Sequence, residues 1–271
     1  MSRWLLLCLL AVVMCSCETQ GPRPYRVGRD PAWYGLSLEG QEQAVTAFCD
    51  DLMLHLASVE GVRLELVTLG WHQLEQALDA GMVDAILTAS PATPDQNQAW
   101  RFSKGYLAVG PVLVSRVDTP GSCLEDFNGK VVGVRWESPT AVVIGTLPSV
   151  VMKPYDSMAV ALHDVLWRKA DAAALSLLSA ALYTRNLYCG KLHIATNPLN
   201  DDALRMAVGR SSTRGALLLD EFERAMLSLR ETGVYNQLIG KWGLSQPPVE
   251  ACVAISGSAD SGEACPTVAT Q

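Results

Sequence analysis

The chain has 271 residues, with 21 Lys plus Arg against 28 Asp plus Glu and a net charge of −7. That length suits one large domain or two coupled lobes, and an acidic chain without a basic stripe excludes nucleic-acid binding. Beyond the first seventeen residues, no run is long and apolar enough to span a bilayer as a helix.

Arg3 is the only charge ahead of an apolar run, Trp4 to Met14. A positive start, a short apolar stretch and then small residues read as a secretory signal, here 1–17. At the junction Met14-Cys15-Ser16-Cys17, a small residue before a cysteine resembles the bacterial lipobox. Cys17 is then the lipidated residue, carrying palmitate-type chains that hold the protein to a membrane. Cys15 is an alternative, but Met14 is too large for the position before it; ordinary cleavage without lipid is the other. Residues 18–24 are polar and proline-bearing, as a tether should be. Five cysteines lie beyond Cys17: Cys49, Cys123, Cys189, Cys252 and Cys265. An exported protein can form disulfides. Cys252 and Cys265 sit in a Pro/Ser/Gly-rich tail, 245–271, expected to be flexible, and can close a local loop. Three cysteines are left over, an odd number, so at least one thiol is expected to be free. No cysteine pair has zinc-ligand spacing with histidines, so no metal is expected.

Tyr25 to Gly28 is a short strand. Ala44, Phe48, Leu52 and Leu56 recur every four residues and make one face of a helix over 41–57. Val62, Leu64 and Leu66 alternate with polar residues as a strand does. Leu74, Ala77 and Leu78 mark a second helix, with Gly81 as its stop. Asp84 to Leu87 reads as a buried strand. The β-α-β-α-β order predicts a mostly parallel sheet with helices on its faces. The pattern then recurs. Lys130 to Val134 is a strand, Met158, Leu162, Val165 and Leu166 form a helical stripe, and Asp171 to Leu175 answers Asp84 to Leu87. Two similar α/β lobes are expected. The apolar stretch Leu107 to Val114 links them, His193 to Leu199 carries the chain back, and Leu219, Phe222, Met226 and Leu229 form a closing helix.

Five segments in order carry a family resemblance: Phe102 to Tyr106, Leu124 to Val134, Pro154 to Ser157, Thr232 to Tyr235 and Lys241 to Gly243. Together they resemble the periplasmic amino-acid-binding proteins of ABC transporters, solute-binding family 3, over Tyr25 to about Leu244. The resemblance implies a two-lobed type II periplasmic-binding-protein fold, with lobe 1 in 25–110 plus 196–244, lobe 2 in 111–195 and a two-strand hinge. It also implies a cleft that closes on a small polar ligand, so that a permease recognises the loaded form. No cofactor is implied, and a monomer is expected at the periplasmic or outer surface of a membrane.

The resemblance places Trp33, with Asp30 three residues before it, and Trp71 as aromatic walls of the cleft. Such faces sandwich a flat or aliphatic ligand or hold a cation; ordinary core packing is the alternative for each. Thr88 and Ser90 fall where the family holds its ligand through hydroxyls and N–H groups. Gln96 falls where the family has the arginine that grips an α-carboxylate, and glutamine supplies neither that charge nor that fork. Ser138 and Thr140 lie at an expected helix N-terminus, suited either to an anionic group or to simple capping. Ser176 stands where the family has the carboxylate for an amino group. Both charged anchors of an amino-acid zwitterion are thus replaced. Arg135, with Trp136 beside it, either points into the cleft to compensate or lies solvated at a strand end.

Three functions follow in order. The first is a transport receptor for a small polar ligand, an amino acid or derivative. The second is a non-transporting lipoprotein or sensor partner with an altered pocket. The third is a dehydratase-like enzyme on the same scaffold, for which His72 and Glu137 are the candidate groups. His55, His163 and His193 have no evident partner.

Overall fold

The computed structural model describes residues 23–34, 36, 38–89, 94–119, 121 and 123–244. The leader with Cys17, most of the tether, Ser90, and the tail with Cys252 and Cys265 lie outside the described residues.

The first lobe opens with β1 (Tyr25–Arg29), α1 (Glu42–Glu60), β2 (Leu64–Thr68), α2 (Trp71–Asp79) and β3 (Ala85–Thr88). A short helix, α3 (Pro94–Ala99), and strands β4 (Trp100–Phe102) and β5 (Leu107–Ala108) follow. The chain then enters the second lobe through β6 (Pro111–Arg116), and a 3₁₀ turn (Leu124–Phe127) leads to β7 (Val131–Arg135). Next come α4 (Pro139–Gly145), β8 (Val151–Tyr155), α5 (Met158–Leu166), β9 (Ala172–Ser176), α6 (Leu177–Arg185) and β10 (Leu192–Ile194). The chain returns to lobe 1 for β11 (Ala203–Gly209), α7 (Thr213–Glu231) and α8 (Val234–Lys241).

The sheets run β2-β1-β3-β11-β4, with β5 beside β11, and β10-β6-β9-β7-β8. Each is mixed, not mostly parallel as the β-α-β order predicts. Helical crossovers keep β1 parallel to β2 and β3, and β7 parallel to β8 and β9. The strands next to the lobe crossings, β6 and β11, run antiparallel to their neighbours. A strand that enters a sheet directly from the other lobe has no crossover helix to turn it parallel.

The repeated Asp-Ala strand start has a structural counterpart in both lobes. Asp84 Oδ2 accepts the Arg26 N–H at 2.8 Å, and Asp171 Oδ2 accepts the Val131 N–H at 2.8 Å. In each case the aspartate's own N–H returns a bond to the partner residue's carbonyl, Arg26 O at 2.8 Å and Val131 O at 2.9 Å. Each aspartate therefore fixes where its strand starts against its parallel neighbour, with registers Val27 opposite Ala85 and Val132 opposite Ala172.

Cores form where the periodicities meet. In lobe 1, Phe48, Leu52 and Leu56 of α1 join Leu218 and Phe222 of α7. The α1 stripe includes Val45 as well, which is fully buried, whereas Ala44 only packs against its edge. In lobe 2, β9 alternates: Ala173 and Leu175 face α5, while Ala172 and Ala174 face Phe127 and Ile144. The lobes are joined where residues 109–110 cross beside 195–202. Val109 and Gly110 both donate to the Asp202 carbonyl, at 2.9 and 3.0 Å. A Cβ at Gly110 would stand 2.6 Å from Asn200 Oδ1, so only glycine allows the crossings to lie this close.

Cys123 and Cys189 are disulfide-bonded, and Cys49 is a free, buried thiol. Burial pushes Cys49 up to about 12, which leaves it a protonated core residue beside the Tyr106 hydroxyl at 3.5 Å.

Candidate ligand-binding site

The C-terminal ends of parallel strands are where open α/β sheets place ligands. Asp30 follows β1, Thr88 ends β3 and Ser176 ends β9, and all three line one cavity between the lobes, about 290 Å³ in volume. That is close to the lower end of small-molecule pockets, roughly 300–1,000 Å³.

Asp30 organises the first wall. Its carboxylate accepts the Ala32 N–H at 3.0 Å and the Tyr34 N–H at 3.1 Å, which folds the loop back on itself. Trp33 sits at that bend with φ of 47°, in the left-handed region that is costly for a bulky residue. Its indole N–H donates to Thr46 Oγ1 at 3.0 Å, and the residue is 3 % exposed within the lobe 1 core. Trp33 thus serves as core on one side and cavity wall on the other, and the two alternatives for it coexist. Trp71, the first residue of α2, lines the cavity too, and its ring lies 5.7 Å from that of Tyr34.

The second lobe contributes from two helix starts. Thr140 in α4 and Ser176 before α6 reach the cavity. Ser176 Oγ donates to Ser179 Oγ at 2.9 Å and caps α6 by accepting the Ser179 N–H. Asp202, at the crossing, lines the cavity too; its Oδ2 accepts from the Asn200 amide at 2.8 Å.

Three expected residues lie elsewhere. Gln96 sits on α3 with its amide donating to Glu75 Oε1 on α2 at 3.3 Å, away from the cavity lining. Ser138 is spent on structure: its hydroxyl donates to the Arg135 carbonyl at 2.8 Å and accepts the Ala141 N–H at 3.1 Å, capping α4. Arg135 is neither in the cavity nor merely solvated, because it reaches across to lobe 1 and pairs with Glu39 at 3.2 Å. The enzyme candidates His72 and Glu137 are both exposed, and neither lines the cavity. Sequence reasoning missed Tyr34 and Asp202. Tyr34 could have been found as the aromatic next to Trp33. Asp202 lies in a stretch with no periodicity, and only the crossing of the chain brings it to the cavity.

The chain is 23% identical over 256 residues to the arginine-binding extracellular protein ArtP of Bacillus subtilis (strain 168), covering 89% of this chain and 98% of that one. It is 21% identical over 248 residues to a putative amino-acid ABC transporter-binding protein, PatH, of Vibrio harveyi, covering 89% and 97%. In fold it is similar to the L-cystine solute receptor of Neisseria gonorrhoeae in its unliganded open conformation. There the TM-score is 0.65 at 18% identity, over 81% of this chain and 92% of that one. The second substrate-binding domain of a putative amino acid ABC transporter from Streptococcus pneumoniae Canada MDR_19A gives a TM-score of 0.63 at 16% identity, over 80% of this chain and 99% of that one. The family model that spans residues 25–245 covers both lobes and the cavity between them, and the chain belongs to the bacterial extracellular solute-binding proteins, family 3.

Proposed function

We propose that the protein is a lipid-anchored extracytoplasmic receptor that captures a small polar ligand, an amino acid or a derivative of one, for an ABC importer. The carrying observation is the cavity itself. Both lobes wall it, strand ends and aromatic rings converge on it, and two chain crossings lie at its edge. Hinge closure around a ligand is the motion such a joint permits, and the closed form is what a permease distinguishes. The relatives' names support the ligand class, and Cys17 after a short apolar run supports the anchor.

The test is a thermal-stability screen of the ligand-stripped protein against amino acids, organic acids, polyamines and nucleobases. A true ligand at a hundred times its Kd stabilises by about 2.7 kcal/mol. No shift with any class, in protein that melts cooperatively, counts against a receptor and favours the non-transporting lipoprotein. Metabolic labelling with palmitate checks the anchor: label should enter the wild type and be lost in Cys17→Ser.

A further inference from the structure

The receptor reading leaves the ligand's charge open, and the cavity restricts it. The lining holds two acidic residues, Asp30 and Asp202, and three aromatic residues, Trp33, Tyr34 and Trp71. Among the described residues the lining contains no Lys, Arg or His. The undescribed positions next to lining residues are Gly35, Ser37 and 90–93, and none of these is basic; the tail 245–271 contains no Lys or Arg either. Arg135, one of whose two expected places was in the cleft, is instead bound to Glu39 of the other lobe.

A carboxylate in this cavity would meet two acidic residues and no basic side chain, only the partial positive charge at the starts of α4 and α6, and burying a charge without a full partner is costly. A cation there meets the reverse: carboxylate oxygens to pair with and ring faces whose quadrupoles attract it. Asp30 is held rigid by two backbone N–H groups, and Asp202 by one side-chain amide, so both are positioned before a ligand arrives. The polar remainder of the lining, Thr88, Thr140 and Ser176, is uncharged.

Resting on the receptor reading, we infer that the ligand is a small organic cation, an amine or guanidine, without a free carboxylate. It is a decarboxylated counterpart of a basic amino acid in chemical class, not the amino acid itself. Trp71 and Tyr34 cover its carbon chain, and Asp202 and Asp30 receive its charge.

Isothermal titration of the full chain, stripped of carried ligand, separates the possibilities with matched pairs that differ only by the carboxylate: agmatine against arginine, and cadaverine against lysine. The expected result is that at least one amine of a pair binds tenfold or more tighter than its parent amino acid. Asp202→Asn should weaken that amine by at least tenfold while leaving the melting temperature in place, because asparagine keeps the contact to Asn200. Arginine or lysine binding as tightly as its amine overturns the inference and leaves the receptor reading intact, as does preferential binding of glutamate or glutamine. Binding of none of these, with no stabilisation by any class in the wider screen, overturns both.

Discussion

Glu39, on the loop that follows β1, bonds Arg135 at the end of β7, with Oε1 and Nη1 3.2 Å apart. The two residues belong to opposite lobes. The same glutamate receives a second lobe 2 contact, from the Tyr183 hydroxyl of α6 to Oε2 at 3.4 Å. The Glu39 carboxylate raises the Tyr183 pKa, after burial as the larger cause. Glu39 also holds a left-handed backbone, φ 52°. One side chain of lobe 1 is therefore gripped by two of lobe 2, outside the cavity lining.

This contact should favour the closed form. Its members are partly exposed, so the pair contributes about 0.2–1 kcal/mol, equivalent to at most about fivefold in an equilibrium. Glu39→Gln and Arg135→Ala should each speed ligand dissociation by up to that factor and enlarge the ligand-free radius of gyration in solution scattering. Unchanged dissociation in both variants would show that the lobes close without it.

The paired aspartates at the strand starts predict a stability difference. Removing either carboxylate leaves a half-buried backbone N–H without its acceptor, which costs about 1–3 kcal/mol. Asp84 additionally pairs with Arg214 of α7, Nε to Oδ1 at 2.9 Å, while no ion pair is found at Asp171 among the described residues. Asp84→Ala should thus lower the urea midpoint more than Asp171→Ala. Equal losses would mean that the Arg214 contact contributes nothing.

Much of this fold was legible because burial imposes periodicity. Phe48, Leu52 and Leu56 announced α1, and the Asp-Ala repeat announced two lobes that share the same hydrogen-bonded strand start. What escaped was set by pairs distant in sequence. Strand β11 shows Leu204, Met206 and Val208 in alternation, yet its role depends on the crossing that slots it antiparallel between β3 and β4. The same holds for the site. Trp33 and Trp71 were legible at the site only through the family resemblance, since a tryptophan beside a strand or helix end reads equally as core, whereas Asp202 owes its place to hinge geometry. Gln96 was expected at the ligand by correspondence with a family arginine, but its amide is drawn to Glu75, four residues into α2.

The two tryptophans should separate binding from folding. Trp71 stands at a helix start with a partly open ring, so Trp71→Ala should weaken ligand binding by about tenfold or more and change the unfolding free energy by less than about 1 kcal/mol. Trp33 is embedded in the core and hydrogen-bonded to Thr46, so Trp33→Ala should cost about 3–5 kcal/mol of stability. Calorimetric titration and urea unfolding of the same two variants measure both effects. A large stability loss at Trp71 with ligand affinity unchanged would assign it to the core instead.

Stability should also fall on mild acidification because of His193 in β10. Burial holds its pKa below the ordinary value, and hydrogen bonds with Ser115 and Arg116 of β6 only partly offset this. Its Nδ1 is buried without a hydrogen-bond partner among the described residues. The unfolded chain binds a proton near pH 6.5, while the folded chain resists until the pH is lower. Across that window the unfolded state carries more protons, so stability declines as pH drops, by at most about 1.4 kcal/mol per pH unit. Above about pH 6.5 both states are neutral and His193 adds no slope; below the depressed folded value both are charged and the slope ends. His193→Gln should flatten the urea midpoint between pH 6.5 and 5 relative to wild type, leaving the steeper acid loss from carboxylates at lower pH in place. An identical slope in the variant would place the mild-acid sensitivity on another group.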